Sequence, residues 1–279
     1  MGKLKSDEIS NDWMNDIFND DNLWYVDGFL RLPSIIAHEY WRLRDMFREK
    51  QPYGVYFQIR DLAETILKFE VLSVCAWAEA SKIQGFQKQV GCLITTRGLS
   101  LGAWYELSRR IQAFFKEHDN ALPAPFSIAL DGIIREYGEG SSFVRKHERA
   151  QSILNWRNEK IGHGALGFAE GDAFRQDIRT MIGYFKSLFE TCPKNSIMNV
   201  ADALAQQKLW LNGIPLMGYE SARELTEAEG ELRIHTDKCN IDFALSPYII
   251  YDAGKIYFFD NQKSPDRTQQ QCYMNGYRK

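Results

Sequence analysis

The stretch NWRNEKIGHG, residues 155–164, sets an arginine (Arg157), an asparagine (Asn158), a lysine (Lys160) and a histidine (His163) close together and then breaks at Gly162 and Gly164. Each residue type has its own chemical use. A histidine, with an ordinary pKa of about 6.5, can give or take a proton at neutral pH. An arginine stays charged and can hold a phosphate through two hydrogen bonds. An asparagine supplies a donor and an acceptor without charge. As a set they suit attack of an RNA 2′-hydroxyl on the adjacent phosphate. The histidine activates the hydroxyl, the cation stabilises the charge that builds on the phosphoryl oxygens, and no metal is needed.

The same residues also make an ordinary helix end. Cations near a helix C-terminus complement its dipole, a glycine closes the last turn, and a histidine is common there. Trp156, Ile153 and Leu154 then read as core. On one straight helix Arg157 and His163 stand about 240° apart around the axis and do not converge. A break at Gly162 can bring them together, or two copies of the segment can face each other across a symmetric contact.

The elements that must position these residues are mostly helical. Residues 1–28 are acidic and aromatic (NDWMNDIFNDDNLWYVDG) and read as a short docking segment or a partly disordered lead. Leu32-Pro33-Ser34 marks a helix entry. HEYWRLRDMFREKQ reads as a first amphipathic helix, closed by Pro52 and Gly54. VYFQIRDLAETILKFEVLSVCAWAEA follows, with Ile59, Leu62, Ala63, Ile66 and Leu67 on one stripe. LSLGAWYELSRRIQAFFKEH and FSIALDGIIREYG continue the pattern. FVRKHERAQSILNWRNEKIGH then reads as one helix carrying the motif, and AFRQDIRTMIGYFKSLFETC as a last one ended by Pro193. Short turns between such helices predict an up-and-down bundle over residues 29–195.

After Cys192 the texture changes. NVADALAQQKLWL reads as one more helix, whereas ELRIHT, DFALSPYIIYD and KIYFFDNQ are strand-like, with a hairpin near Ala253-Gly254. A boundary near residue 196 therefore separates the bundle from a small α+β appendage over 196–279. The final CYMNGYRK opens another strand-and-turn pattern and stops, so the chain is expected to be a piece of a longer protein.

The motif has a resemblance. ILNWRNEKIGHGAL is similar to the signature of the HEPN superfamily, an arginine followed by a polar residue, usually asparagine, and after a few variable positions a histidine. Here those positions are Arg157, Asn158 and His163, placed after several helices and before a final one, as in that family; the likeness spans about residues 30–195. It implies a mainly α, HEPN-like helical bundle that dimerises, so that two motifs share one cleft. It also implies a metal-independent endoribonuclease, in antiphage defence or a toxin–antitoxin pair, with RNA (tRNA among the candidates) as substrate. A sensor or motor region or an antitoxin is the partner to expect. Other members are inactive scaffolds, so a non-catalytic interaction module is the alternative. A regulator that holds a mononucleotide in a basic groove is a third. The β-rich tail is no part of the family fold.

Two weaker features point the same way. Between Arg145 and His163, five basic residues (Arg145, Lys146, Arg149, Arg157, Lys160) meet two acidic ones (Glu148, Glu159). Lys160, Arg149 and His147 are thus candidate substrate contacts, although a solvated helix face reads equally well. In RDLAETILK, Asp61, Glu64 and Lys68 share a helix face. Glu64 could orient His163 or Arg157, or the trio could be a surface ion-pair ladder.

Composition limits the rest. Net charge is -3, so any nucleic-acid surface must be local. No apolar run approaches the roughly 18 residues that cross a bilayer, and the N-terminus lacks a secretory core. Its Met-Gly start, with Ser6, matches a myristoylation context, a short pattern that recurs by chance. Five scattered cysteines fit a reducing compartment, so a cytoplasmic location without membrane contact is expected. His235 and Cys239 have helical ligand spacing in a strand-like region and lack the further ligands zinc needs. Walker, GxGxxG and GxSxG motifs are missing, and no metal or cofactor is expected.

Overall fold

The computed structural model describes residues 12–94, 99–118, 121–147, 151–160, 172–194, 196–221, 230–237, 239–263 and 270–275. It is mainly helical, with a small sheet region towards the C-terminus.

The described part of the lead segment, from Asp12 on, docks. Helix α1 (Asp12–Asn19) buries Met14 and Ile17, and the Trp24 indole Nε1 donates to the Ile17 carbonyl at 2.9 Å. After the single turn of α2 (Gly28–Arg31), Pro33 leads into α3 (Ser34–Arg48). Arg44 of α3 fastens the segment, donating to the Phe18 carbonyl while its guanidinium lies over Phe18, Trp24 and Phe29. Acidic as it is, this stretch carries enough aromatic surface to offset the entropy of ordering it.

Helix α4 (Pro52–Ala80) is the axis of the molecule. Its 29 residues span about 43 Å. Pro52, which lacks an amide hydrogen, sits in its first turn, where that hydrogen has no helical partner. The first half shows the expected stripe. From Thr65 to Ala76 every residue is buried, whichever way it faces. A helix that is wrapped on all sides must have neighbours all round. Here they are α3, α6 (Leu101–Glu117), α7 (Ala124–Tyr137) and α10 (Asp172–Glu190), together with strands β4 (Ile241–Ala244) and β6 (Lys255–Lys263). Between α4 and α6 lie a π-helical turn at Gln87–Gly91 and α5 (Cys92–Ile94).

The run FVRKHERAQSILNWRNEK forms two helices among the described residues, α8 (Ser142–Lys146) and α9 (Ile153–Lys160). Each has its own serine cap: Ser141 Oγ accepts from the Val144 amide, and Ser152 Oγ from the Asn155 amide. His147 leaves α8 in an extended conformation. Two caps in one amphipathic run divide it.

The expected helix NVADALAQQKLWL stops early. Helix α11 (Val200–Gln206) gives way to strand β1 (Lys208–Leu211). A two-residue turn, Asn212-Gly213, both with positive φ, then returns the chain as β2 (Ile214–Pro215). After α12 (Gly218–Ser221), β3 (Leu232–Thr236) and β4 complete an antiparallel sheet in the order β2-β1-β3-β4. A second antiparallel sheet holds β5 (Ile249–Asp252), β6 and β7 (Gln270–Asn275). The β5–β6 hairpin turns at Ala253-Gly254, both left-handed, as expected. Leu209, Ile234, Phe243 and Phe258 belong to the same continuous apolar core as the helices. Among the described residues no helix is long and apolar enough to cross a membrane.

Candidate functional site

Helix α9 carries Arg157, Asn158 and Lys160, and an aromatic column holds it in place. The Trp156 ring stacks on Tyr56 of α4 (centroids 5.2 Å apart), and Tyr56 in turn stacks on Phe174 of α10 (5.0 Å). One carboxylate locks the column: Asp177 Oδ2 accepts from the Tyr56 hydroxyl at 2.7 Å and from Trp156 Nε1 at 3.0 Å. Burial, and then the bond and negative charge of Asp177, push the Tyr56 hydroxyl far above its ordinary pKa, so it remains a donor. The residue before Arg157 is thereby fixed to two other helices.

Arg157 is half-buried and Asn158 exposed. Arg157 Nη1 donates to Asn158 Oδ1 at 3.2 Å, and Arg157 Nε, shielded from solvent, has no hydrogen-bond partner among the described residues. Neither has Arg157 a carboxylate partner among them. Other arginines do: Arg31 pairs with Asp202, Arg44 with Asp21, Arg60 with Asp61, Arg179 with Asp20 and Arg233 with Asp242. A half-buried guanidinium held by a neutral amide keeps its charge available to an anion.

His163, Arg149, Gly162 and Gly164 lie outside the described residues. His147 is exposed, its ring tilted against Phe143 with centroids 4.2 Å apart. Lys160 is exposed near the end of α9. Glu64 pairs with Lys68 at 2.7 Å on its own helix, and the Lys68 ammonium, buried, lies over the Trp104 ring. Among the described residues no hydrogen bond or ion pair joins His147, Lys160 or Glu64 to Arg157. No family model matches the chain, and no curated protein or solved structure matches it either. The HEPN resemblance therefore stands on the motif and its helical setting.

Elsewhere, His235 lies 3.2 Å from Asp237 and Cys239 is exposed; among the described residues no three His, Cys, Asp or Glu side chains gather as metal ligands would. One open cleft of about 590 Å³ lies between Arg31, Met198, Asp202 and Met217, and another of about 530 Å³ between Glu231 and Tyr251. Neither is lined by the motif. Tyr56 and Asp177 are the site residues that sequence reasoning passed over. They sit on two helices and are 121 positions apart, so no local spacing links them.

Proposed function

We propose that this chain is a metal-independent endoribonuclease of the HEPN type, acting on RNA as a cytoplasmic homodimer. What supports the reading best is Arg157, a guanidinium oriented by the neighbouring Asn158 amide with no carboxylate partner among the described residues. The motif Arg157-Asn158 followed by His163 supplies the rest.

In this reading His163 takes the proton from a 2′-hydroxyl as that oxygen attacks the adjacent phosphorus. The O2′–P bond forms and the P–O5′ bond breaks. The leaving O5′ is protonated by the other copy of His163 in the dimer, so one copy acts as base and the other as acid. Arg157 stabilises the charge on the phosphoryl oxygens, and Asn158 positions Arg157. The products end in a 2′,3′-cyclic phosphate and a 5′-hydroxyl. Antiphage defence or a toxin–antitoxin pair is the setting, with a sensor or motor region or an antitoxin as partner, by analogy with the family.

The test is incubation of the purified protein with tRNA and single-stranded RNA in EDTA, beside Arg157→Ala and His163→Ala. Cleavage by the parent protein, lost in both variants and leaving cyclic phosphate ends, is the expected result. Cleavage that survives His163→Ala, or that requires a divalent metal, overturns the mechanism. A folded dimer that cleaves nothing makes the motif a structural part of an interaction module.

A further inference from the structure

The outer face of α4 beside the motif helix carries two large, partly exposed aromatic side chains. Tyr53 is 45% exposed and Phe57 41%. At i and i+4 they lie on one helix face, about 40° apart around the axis. Between them in the chain comes Tyr56, the ring that stacks on Trp156. Phe57 and Arg157 are thus each the next residue after a member of that stacked pair. The exposed rings begin where α4 meets the motif.

A third side chain makes this more than two stray hydrophobes. The Arg60 guanidinium lies over the Phe57 ring, 5.5 Å from its centroid, and is held there by the Asp61 carboxylate at 2.9 and 2.5 Å. Burying an aromatic ring in full contributes roughly 1.5–3 kcal/mol, so leaving two of them partly exposed forgoes some of that stability unless a ligand covers the exposed part. Flat rings beside a guanidinium suit one class of surface well, the faces of unpaired nucleobases. Charge favours the same occupant. Helix α9, whose Trp156 stacks on Tyr56, carries Arg157 and Lys160 against one acidic residue, Glu159, a charge complementary to a phosphate backbone and not to a second copy of itself.

We infer that Tyr53 and Phe57, with Arg60 beside them, form a base-stacking platform that holds unpaired bases of single-stranded RNA next to the phosphate carried to Arg157. The choice of ligand rests on the nuclease reading, but the platform itself binds without chemistry. It selects loops and single strands over duplex, because only unpaired bases present a free face.

The experiment is fluorescence anisotropy in EDTA with a labelled single-stranded 2′-O-methyl RNA, which has no free 2′-hydroxyl to attack. It compares the parent protein, Tyr53→Ala/Phe57→Ala and the ring-preserving Tyr53→Phe/Phe57→Tyr. Light scattering gives the oligomeric state of each, and thermal melting confirms folding. The expected result is that the alanine pair weakens binding about tenfold or more while the ring-preserving pair stays within about twofold. Phe57→Leu, which keeps apolar bulk and loses the ring, serves if the alanine pair does not fold, and it is expected to weaken binding as well. Equal binding by all variants, or no binding by the parent, overturns the inference. So does loss of a dimer with RNA affinity unchanged, which assigns the rings to a contact between copies. A parent protein that binds through these rings and cleaves unmodified RNA nowhere leaves the platform standing and rejects the nuclease. Cleavage of unmodified RNA that the alanine pair leaves unchanged does the reverse.

Discussion

Asp177 stands behind the motif without belonging to it. Its carboxylate oxygen accepts from Tyr56 and from Trp156, so one side chain of α10 ties α4 to α9. Asp177→Ala leaves a hydroxyl and an indole N–H without their acceptor in a partly buried place, which costs about 1–3 kcal/mol for each group left unpaired. The expected outcome is a lower urea midpoint for Asp177→Ala, with most of the loss recovered by Asp177→Asn, whose side-chain oxygen still accepts. Equal midpoints for all three proteins would show that ring stacking alone holds the column. At this scale the adjacency of Arg157 and Asn158 was legible because it is written in the chain, whereas the hydrogen bond between them was found only in the structure. The bonds to Asp177 were not legible either, since they depend on how three helices are brought together.

Among the elements, the junction of α7 with α11 is the tightest test of packing. Gly132 on α7 leaves no room for a side chain: a Cβ there would collide with Val200 Cγ2 and lie 3.7 Å from Pro193. Gly132→Ala is therefore expected to destabilise by about 1–3 kcal/mol, the usual cost of overpacking, despite the better helix propensity of alanine. Adding Val200→Ala should recover part of that loss, because it removes the atom that the new methyl meets. A urea titration of the two single variants and the pair measures the coupling, and strict additivity would reject the contact. Helix α7 was visible in the sequence as FSIALDGIIREYG. The reason for a glycine in its middle was not, because it lies on the facing helix. The strand β1 went unforeseen for a related reason. KLWL is too short to show a period, and the sign of a hairpin was Asn212-Gly213, just beyond it.

For the whole molecule the telling group is Glu70. It is fully buried on α4, where Gln207, at the join of α11 and β1, donates to its Oε2 at 2.8 Å; Glu70 Oε1 and Gln207 Oε1 have no hydrogen-bond partner among the described residues. Burial pushes the carboxyl up to about 8, with the Gln207 bond opposing it only in part. The folded protein therefore holds the Glu70 proton through a range in which the unfolded chain has released it. Stability from this group is fully present below the ordinary carboxylate range and is lost as the pH rises through about 8. Melting temperature is expected to fall between weakly acidic pH and pH of about 8, and Glu70→Gln, neutral throughout, to flatten that fall. A Glu70→Gln profile parallel to that of the parent would mean that the carboxyl is not what titrates. The helices and the C-terminal strands would open together, because Glu70 and Gln207 join α4 to the chain that leads into the sheet.

The sequence by itself determined the helical character, most of the helix positions, the Ala253-Gly254 hairpin and the grouping of Arg157 with Asn158. These follow from periodicities, caps and turns that act within a few residues of one another. Tertiary structure alone decided that α4 is enclosed on all sides, that its second half shares a core with the strands after residue 196, and that Asp177 holds the motif helix. It also decided that one carboxyl is buried where helices meet sheet while two aromatic rings stay partly exposed. Burial, pairing and exposure depend on which surfaces face each other, and that depends on contacts between residues far apart in the chain.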